Sequence, residues 1–326
     1  MSFYTMIVRV VSLGLLLAAA GTVVAQQSYP SRPVRFIIPY PPGGSTDPMG
    51  RMIATKLTER WGQSVVVDNR PGGNTIIGTD LLAKAAPDGH TIGWLGGAFF
   101  SLPSLFADLP FDTSRDFVGV TTLGKTRIVL VLHPSVPANN LQEFIALAKS
   151  RPGELNFASS GVGTNVHLSG VLFNQVTGTR IIHIPYKGSG PATIDLLAGR
   201  VEISFQVPIT VIPMINAGKL KAIAVTGQAR LPALTEVPTF SEAGLPNFGW
   251  TSVTGIIAPA RTPRPVIGRI ASEVAAILAM PGTQEFMAKQ GAEPFVSTPE
   301  QTTAVIKVEI ASYAKIIKEA GITHQP

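Results

Sequence analysis

The residues best suited to chemistry lie in two glycine-rich stretches. Pro42, Gly43, Gly44, Ser45, Thr46 and Asp47 follow the apolar run V-R-F-I-I-P-Y that starts at Val34 and ends at Tyr40. Ser159, Ser160, Gly161, Gly163, Thr164 and Asn165 close and follow the run L-N-F-A-S in the same manner. Each stretch leads into apolar residues at helical spacing. A strand that feeds a helix through glycines leaves backbone N–H groups unpaired at the positive end of the helix dipole, which is anion-binding chemistry. Neutral donors of this kind hold a carboxylate without burying a fixed counter-charge. Either stretch alone also reads as an ordinary tight turn with its cap. Two of them at equivalent points of two lobes point to a cleft, because open α/β sheets bind ligands beyond the carboxyl ends of their strands.

Asp47 precedes Pro48 and is expected to be the helix N-cap, although a carboxylate there could instead accept an ammonium group. Tyr40 could stack on a ligand or simply pack. In G-W-L-G-G-A-F-F, starting at Gly93, the aromatic residues Trp94, Phe99 and Phe100 read as core. The glycines, Gly97 among them, suggest a third loop at the cleft rim.

Gly161-Val162-Gly163 opens like a dinucleotide fingerprint but lacks its third glycine, and no G-x-S-x-G elbow marks a serine nucleophile. The five histidines, His90, His133, His167, His183 and His324, show no metal-ligand spacing. His167 falls in the first turn of the second helix, where a structural role is preferred. A secreted hydrolase using Asp47, His167 or Asp195 is the weaker alternative, since these residues form no set of nucleophile, base and orienter.

The elements that must position these loops alternate strand and helix from Val34 to about Ala260, giving two lobes of α/β type with mixed, mainly parallel sheets and a ligand cleft between them. Met49, Met52, Ile53 and Leu57 form the apolar stripe of the first helix, which Gly62 ends. Leu168, Val171, Leu172 and Val176 form that of the second, which starts at Thr164 or Asn165 and stops at Gly178. Short strands are expected near Ile128–Leu132 and Thr251–Ala258, and a capping box at Thr298-Pro299-Glu300-Gln301 starts the last helix. The strands near Ile128 and Thr251 are candidate hinges. Residues 26–126 with 251–326 then make one discontinuous lobe, and 127–250 the other.

Composition limits the function further. The chain has 326 residues, 45% hydrophobic and 14% charged, with no cysteine, which removes disulfides and thiolate chemistry. Arg9 precedes an apolar stretch from Val10 to Ala20, too short to span a bilayer, so residues 1–25 read as a signal peptide cleaved near Ala25. A protein exported without disulfides fits the periplasm. The remaining 25 basic and 20 acidic residues leave a charge of +5, scattered without the basic runs that nucleic acid requires.

The chain resembles the periplasmic solute-binding proteins of tripartite tricarboxylate transporters, the Bug family. The likeness runs through Y-P-S-R-P-V-R-F-I-I-P-Y-P-P-G-G-S-T-D from Tyr29, V-V-V-D-N-R-P-G-G-N from Val65 and A-A-P-D-G-H-T from Ala85. It continues through L-N-F-A-S-S-G-V-G-T, H-I-P-Y-K-G-S-G-P-A-T-I-D-L-L-A-G, A-G-K-L-K-A-I-A-V-T, V-P-T-F-S-E-A-G-L-P and G-I-I-A-P-A-R-T-P. The resemblance implies a type II periplasmic-binding-protein fold that closes over a small carboxylate: a di- or tricarboxylate, an aromatic acid or an acidic amino acid. It implies ligand contacts from Pro42 to Asp47, from Ser159 to Asn165 and from the loop after Phe205, where Gln206 stands. It further implies delivery to integral-membrane subunits by a monomer that uses no cofactor, metal or catalytic residue. A periplasmic sensor for a two-component system would use the same cleft. Trp94, Phe99 and Phe100 are bulkier than the family pattern and hint at a bulkier or aromatic acid.

Overall fold

The computed structural model describes residues 29–246, 248 and 251–322. The expected signal peptide and its cleavage site lie outside the described residues, as does His324. In chain order the first elements are β1 (Val34–Ile38), α1 (Asp47–Trp61), β2 (Val65–Asn69), α2 (Ile76–Ala83), β3 (Thr91–Leu95), α3 (Gly97–Leu105) and β4 (Phe117–Thr126). The chain then crosses to β5 (Val129–Leu132), α4 (Leu141–Ser150), β6 (Asn156–Ser159), α5 (Asn165–Thr177), β7 (Ile182–Pro185), α6 (Ser189–Leu197), β8 (Ile203–Gln206), α7 (Pro208–Asn216) and β9 (Lys221–Val225). It returns through β10 (Ser252–Pro259) to α8 (Arg264–Leu278), α9 (Pro281–Lys289), β11 (Ala292–Pro294) and α10 (Pro299–Glu319).

Two sheets result, ordered β11-β4-β10-β3-β1-β2 and β7-β6-β8-β5-β9. Each is covered on both faces because strand side chains alternate. Phe36 and Ile38 of β1 pack with Met49, Ile53 and Leu57 of α1. Ile37, between them, faces Phe99, Phe100 and Tyr313. In the second sheet Leu130, Phe157 and Phe205 pack with Phe144 and Phe173, while Val129, Val131 and Ala158 face Ala192 and Leu196.

The sheets are mixed, as expected, with fewer parallel pairs than the strand–helix alternation suggests. β1 pairs parallel with β2 and β3, and β6 with β7 and β8. β10 is antiparallel to β3 and β4, β11 to β4, and β5 to β8 and β9. The physical reason lies in the connections: a helical crossover enforces parallel pairing, whereas β5 and β10 enter their sheets straight from the other one. Arg127, buried between β4 and β5, ties the passages together by donating to the Ala229 carbonyl and the Glu293 carboxylate.

Local signals behave as their chemistry requires, with one correction. Gly62 and Gly178 end α1 and α5 in the left-handed conformation, at φ 66° and 67°. Thr164 caps α5 by accepting the His167 N–H, and Thr298 with Gln301 forms the capping box of α10. Asp47, however, is not an N-cap: Thr46 holds that position without a side-chain hydrogen bond, and Asp47 is the first residue of α1. Trp94 to Phe100 likewise form the end of β3 and the start of α3, a third strand-to-helix cassette, with Phe99 and Phe100 buried in the core.

Candidate functional site

A cavity of about 140 Å³ lies between the two sheets, beyond the carboxyl ends of β1, β3, β6 and β8. That is the scale of a cavity that admits a benzene-sized molecule. Five helices present their N-terminal ends to it: α1 through Ser45 and Thr46, α3 through Gly96 and Gly97, α5 through Thr164 and Asn165, α6 through Gly188 and Ser189, and α7 through Val207 and Ile209. Four of these ends, on α1, α3, α6 and α7, have no side-chain cap. At the fifth, Thr164 Oγ1 takes the His167 N–H and Asn165 Oδ1 the Val166 N–H. Uncapped first turns leave N–H groups and partial positive charge directed at the cavity, which an anion would satisfy.

The sequence-derived candidates separate into two groups. Tyr40, Pro42, Gly43, Gly44, Ser45, Thr46, Gly97, Ser160, Thr164 and Asn165 line the cavity. Asp47, Ser159, Gly163 and Gln206 do not, and each has its polar atoms engaged elsewhere. The Asp47 carboxylate accepts hydrogen bonds from the Gly43 N–H (3.1 Å), Arg51 (2.8 Å) and Asn69 (3.1 Å). Burial pushes its pKa up, but these three partners together hold it below the usual carboxylate range. Asp47 thus shapes the loop and consumes the Gly43 donor that an anion could otherwise use.

Gln206 is buried, donating to Ser204 Oγ (2.9 Å) and accepting from Thr210 Oγ1 (3.2 Å). Replacing Asp47 by Ala is expected to cost about 1–3 kcal/mol of stability, seen as a lower melting temperature. The ratio of affinities for an amino acid and its deaminated analogue should stay unchanged; an amino-acid-selective loss would show that Asp47 reaches the ligand.

Ser159 and Gly163 contact a histidine pair, His167 buried and His183 half-buried. Ser159 Oγ is 2.6 Å from His183 Nε2, and the His183 ring stacks on His167 at 3.9 Å between centroids. Gly163 N–H donates to His167 Nδ1 at 3.0 Å, so that nitrogen carries no proton. Burial drives His167 to about 3, with the neighbouring His183 adding to the shift, and burial drives His183 to about 4. The Ser–His contact is not a nucleophile and base: Ser159 is wholly buried, and among the described residues no carboxylate orients His183. Asp195, the other residue a hydrolase would need, accepts from Tyr186 Oη (2.7 Å) and Arg200 (2.7 Å), outside the cavity lining.

Much of the wall was not marked by sequence reasoning. Thr126 comes from β4, Ser252 and Thr254 from β10, Met287 from α9, Gln290 from its C-cap and Ala292 from β11. Lys187 is the one charged side chain in the lining and sits exposed at its edge. Only the K-G-S-G-P run from Lys187 carried a readable signal, a glycine-rich helix start like the other loops.

The lobes touch around the cavity. Ser189 Oγ lies 3.5 Å from Ser45 Oγ. Leu168 of α5 packs among Phe99, Phe100 and Tyr313. A methyl group at Gly97 would meet the Asn165 backbone nitrogen at 3.2 Å. Two α/β units closed over a cavity ringed by helix N-termini define a two-lobed solute-binding receptor.

The family model for the tripartite tricarboxylate transporter family receptor matches residues 49–322, and the chain belongs to that family, whose members are periplasmic binding proteins rather than enzymes. It is 38% identical over 314 residues to Protein BugT of Bordetella pertussis, covering 95% of this chain and 96% of that one. Among solved structures it is similar to Rpa4515 of R. palustris with adipate, with a TM-score of 0.88 and 33% identity over 91% of this chain and 100% of that one. It is also similar to MatC from Rhodopseudomonas palustris with bound malate, with a TM-score of 0.81 and 29% identity over 89% and 100%.

Proposed function

We propose that this protein captures a small organic carboxylate in the periplasm by closing its two lobes, and delivers it to integral-membrane transporter subunits. The observation that carries the reading is the convergence of five helix N-termini, four without a side-chain cap, on one cavity between the lobes. The carboxylates in the two similar solved structures support it. We assign residues 26–126 with 251–326 to one lobe and 127–250 to the other. The hinge lies where the chain passes between sheets, at Thr126–Val129 and before Ser252. Residues 1–25 are assigned as the signal peptide, and a single chain as the working unit.

Ligand contacts fall to the main chain and hydroxyls of Ser45, Thr46, Gly97, Ser160, Thr164, Asn165 and Ser189. The test is a thermal-shift panel of mono-, di- and tricarboxylates and amino acids on the mature protein. At a hundredfold excess over Kd a ligand adds about 2.7 kcal/mol, a rise of several degrees. No shift with any member would overturn the reading.

A further inference from the structure

The lining holds three polar side-chain atoms that are buried without any partner: Thr46 Oγ1 belongs to a helix end, and the other two differ from the helix ends in chemistry. Trp94 is 4% exposed, and its indole Nε1 has no hydrogen-bond acceptor. A side chain at Gly96 would start 3.0 Å from that nitrogen, so glycine there spares the donor a covering methyl group beside the α3 N-terminus. Gln290 ends α9, and its Oε1 is buried and unpaired. Buried polar groups without partners are costly, and in a binding cavity the ligand is what supplies the missing bond. Indole N–H only donates, so it takes an acceptor; a glutamine amide, turned either way, takes a neutral donor or acceptor.

The strands that carry the two groups are not neighbours. Between β3, which carries Trp94, and β11, which Gln290 precedes, lie β10 and β4, so their backbones are about 14 Å apart at ordinary strand spacing. A molecule that touches both bridges the gap left between the two side chains. Met287 and Ala292 lie in sequence on either side of Gln290, and the lining at that end holds no cation: Lys187 is on the opposite lobe's rim, while Arg127 and Lys289 nearby are paired with Glu293 and Glu285. A second carboxylate there would be desolvated against a neutral amide and a thioether with nothing to balance its charge.

Building on the receptor reading above, the geometry points to a monocarboxylate with an uncharged hydrogen-bonding far end, its acid held by Trp94 and the helix N-termini and its far end by Gln290. This separates the chain from its adipate- and malate-bound neighbours in substrate class.

The test is calorimetric titration at pH 7.5 with 4-hydroxybutanoate against succinate and 6-hydroxyhexanoate against adipate, with hexanoate as the apolar-ended control. At least one hydroxy acid should bind tenfold or more tighter than its matched dicarboxylate. Gln290→Leu should erase the preference for 6-hydroxyhexanoate over hexanoate, and Gln290→Lys should turn preference toward the dicarboxylate. Trp94→Phe should weaken all ligands about tenfold. Gly96→Ala, which covers Nε1 while leaving the indole in the core, should do the same if the fold of the phenylalanine variant suffers. A dicarboxylate binding as well as or better than its hydroxy acid overturns the proposal, as does failure of all five probes. If the broader carboxylate panel still shifts the melting temperature, the receptor reading survives that failure; if it does not, both fall.

Discussion

Gly163→Ala should weaken carboxylate binding thirty- to a thousandfold while leaving the protein folded. Gly163 sits at φ +74°, where a Cβ costs about 1–2 kcal/mol, and that cost alone would be modest. The larger effect is across the cleft. A Cβ there would fall 2.2 Å from Leu105 Cδ1 and 2.5 Å from Ser101 Oγ, both on α3 of the opposite lobe. The collision exists only with the lobes together, so it acts on closure and not on the folding of either lobe. Strain and overpacking together reach about 2–4 kcal/mol, and each 1.4 kcal/mol is a factor of ten in affinity.

Gly178→Ala is the matched control, since Gly178 has the same left-handed conformation (φ +67°) and nothing within 4 Å. Gly97→Ala should reproduce the binding loss from the other side, because its Cβ would meet the Asn165 nitrogen at 3.2 Å across the cleft, besides Tyr313 Oη at 2.8 Å within its own lobe. Isothermal titration with the best ligand of the panel, paired with small-angle scattering of the liganded protein, reads both effects. An affinity for Gly163→Ala within threefold of the parent would show that closure does not bring these loops together.

Acid should destabilise the protein through the histidine pair, and His167→Asn should remove part of that sensitivity. His167 and His183 are held neutral in the fold, at about 3 and about 4, whereas the unfolded chain protonates both near 6.5. Above pH ~6.5 neither state is charged and the pair contributes no pH dependence. Below it the unfolded chain binds protons that the fold refuses, so stability falls toward the folded values by up to ~1.4 kcal/mol per pH unit for each histidine.

Glu309 works the other way. Burial raises it to about 7, against the pull of Lys125, so it gains stability as pH falls from there toward its unfolded value. A difference between variants is therefore more telling than one curve. Between pH 7 and pH 4.5, His167→Asn should lose about 2–3 kcal/mol less than the parent in urea unfolding. The asparagine oxygen can still accept the Gly163 N–H, which keeps the loop in place. Equal losses in parent and variant would mean that His167 is not held neutral.

Short-range signals carried much of the architecture. Gly62, Gly178 and Thr298 with Gln301 mark helix ends by local backbone geometry, and the helix from Leu141 to Ser150 needs only its own periodicity to be read. The glycine loops at Gly43–Thr46 and Ser160–Asn165 were legible as anion sites for the same reason: a helix end creates its donors whatever surrounds it.

What the loops are left with after folding was decided elsewhere. Asp47 and Arg51 are one turn apart, yet Asn69 completes the Asp47 site from β2, and that enclosure turns the carboxylate from a ligand group into a brace for Gly43. His167 and His183 meet because β6 and β7 pair parallel, a contact across 16 residues that neither histidine announces. Trp94 and Gln290 reach one cavity only because β10 returns from the second lobe to lie between β3 and β4. The sequence by itself determined a two-lobed exported protein with glycine-rich helix starts that favour an anion, since backbone dipoles and hydrophobic periodicity are local properties. Which donors remain free, and which neutral side chains complete the wall, depended on long-range pairing that joins segments two hundred residues apart.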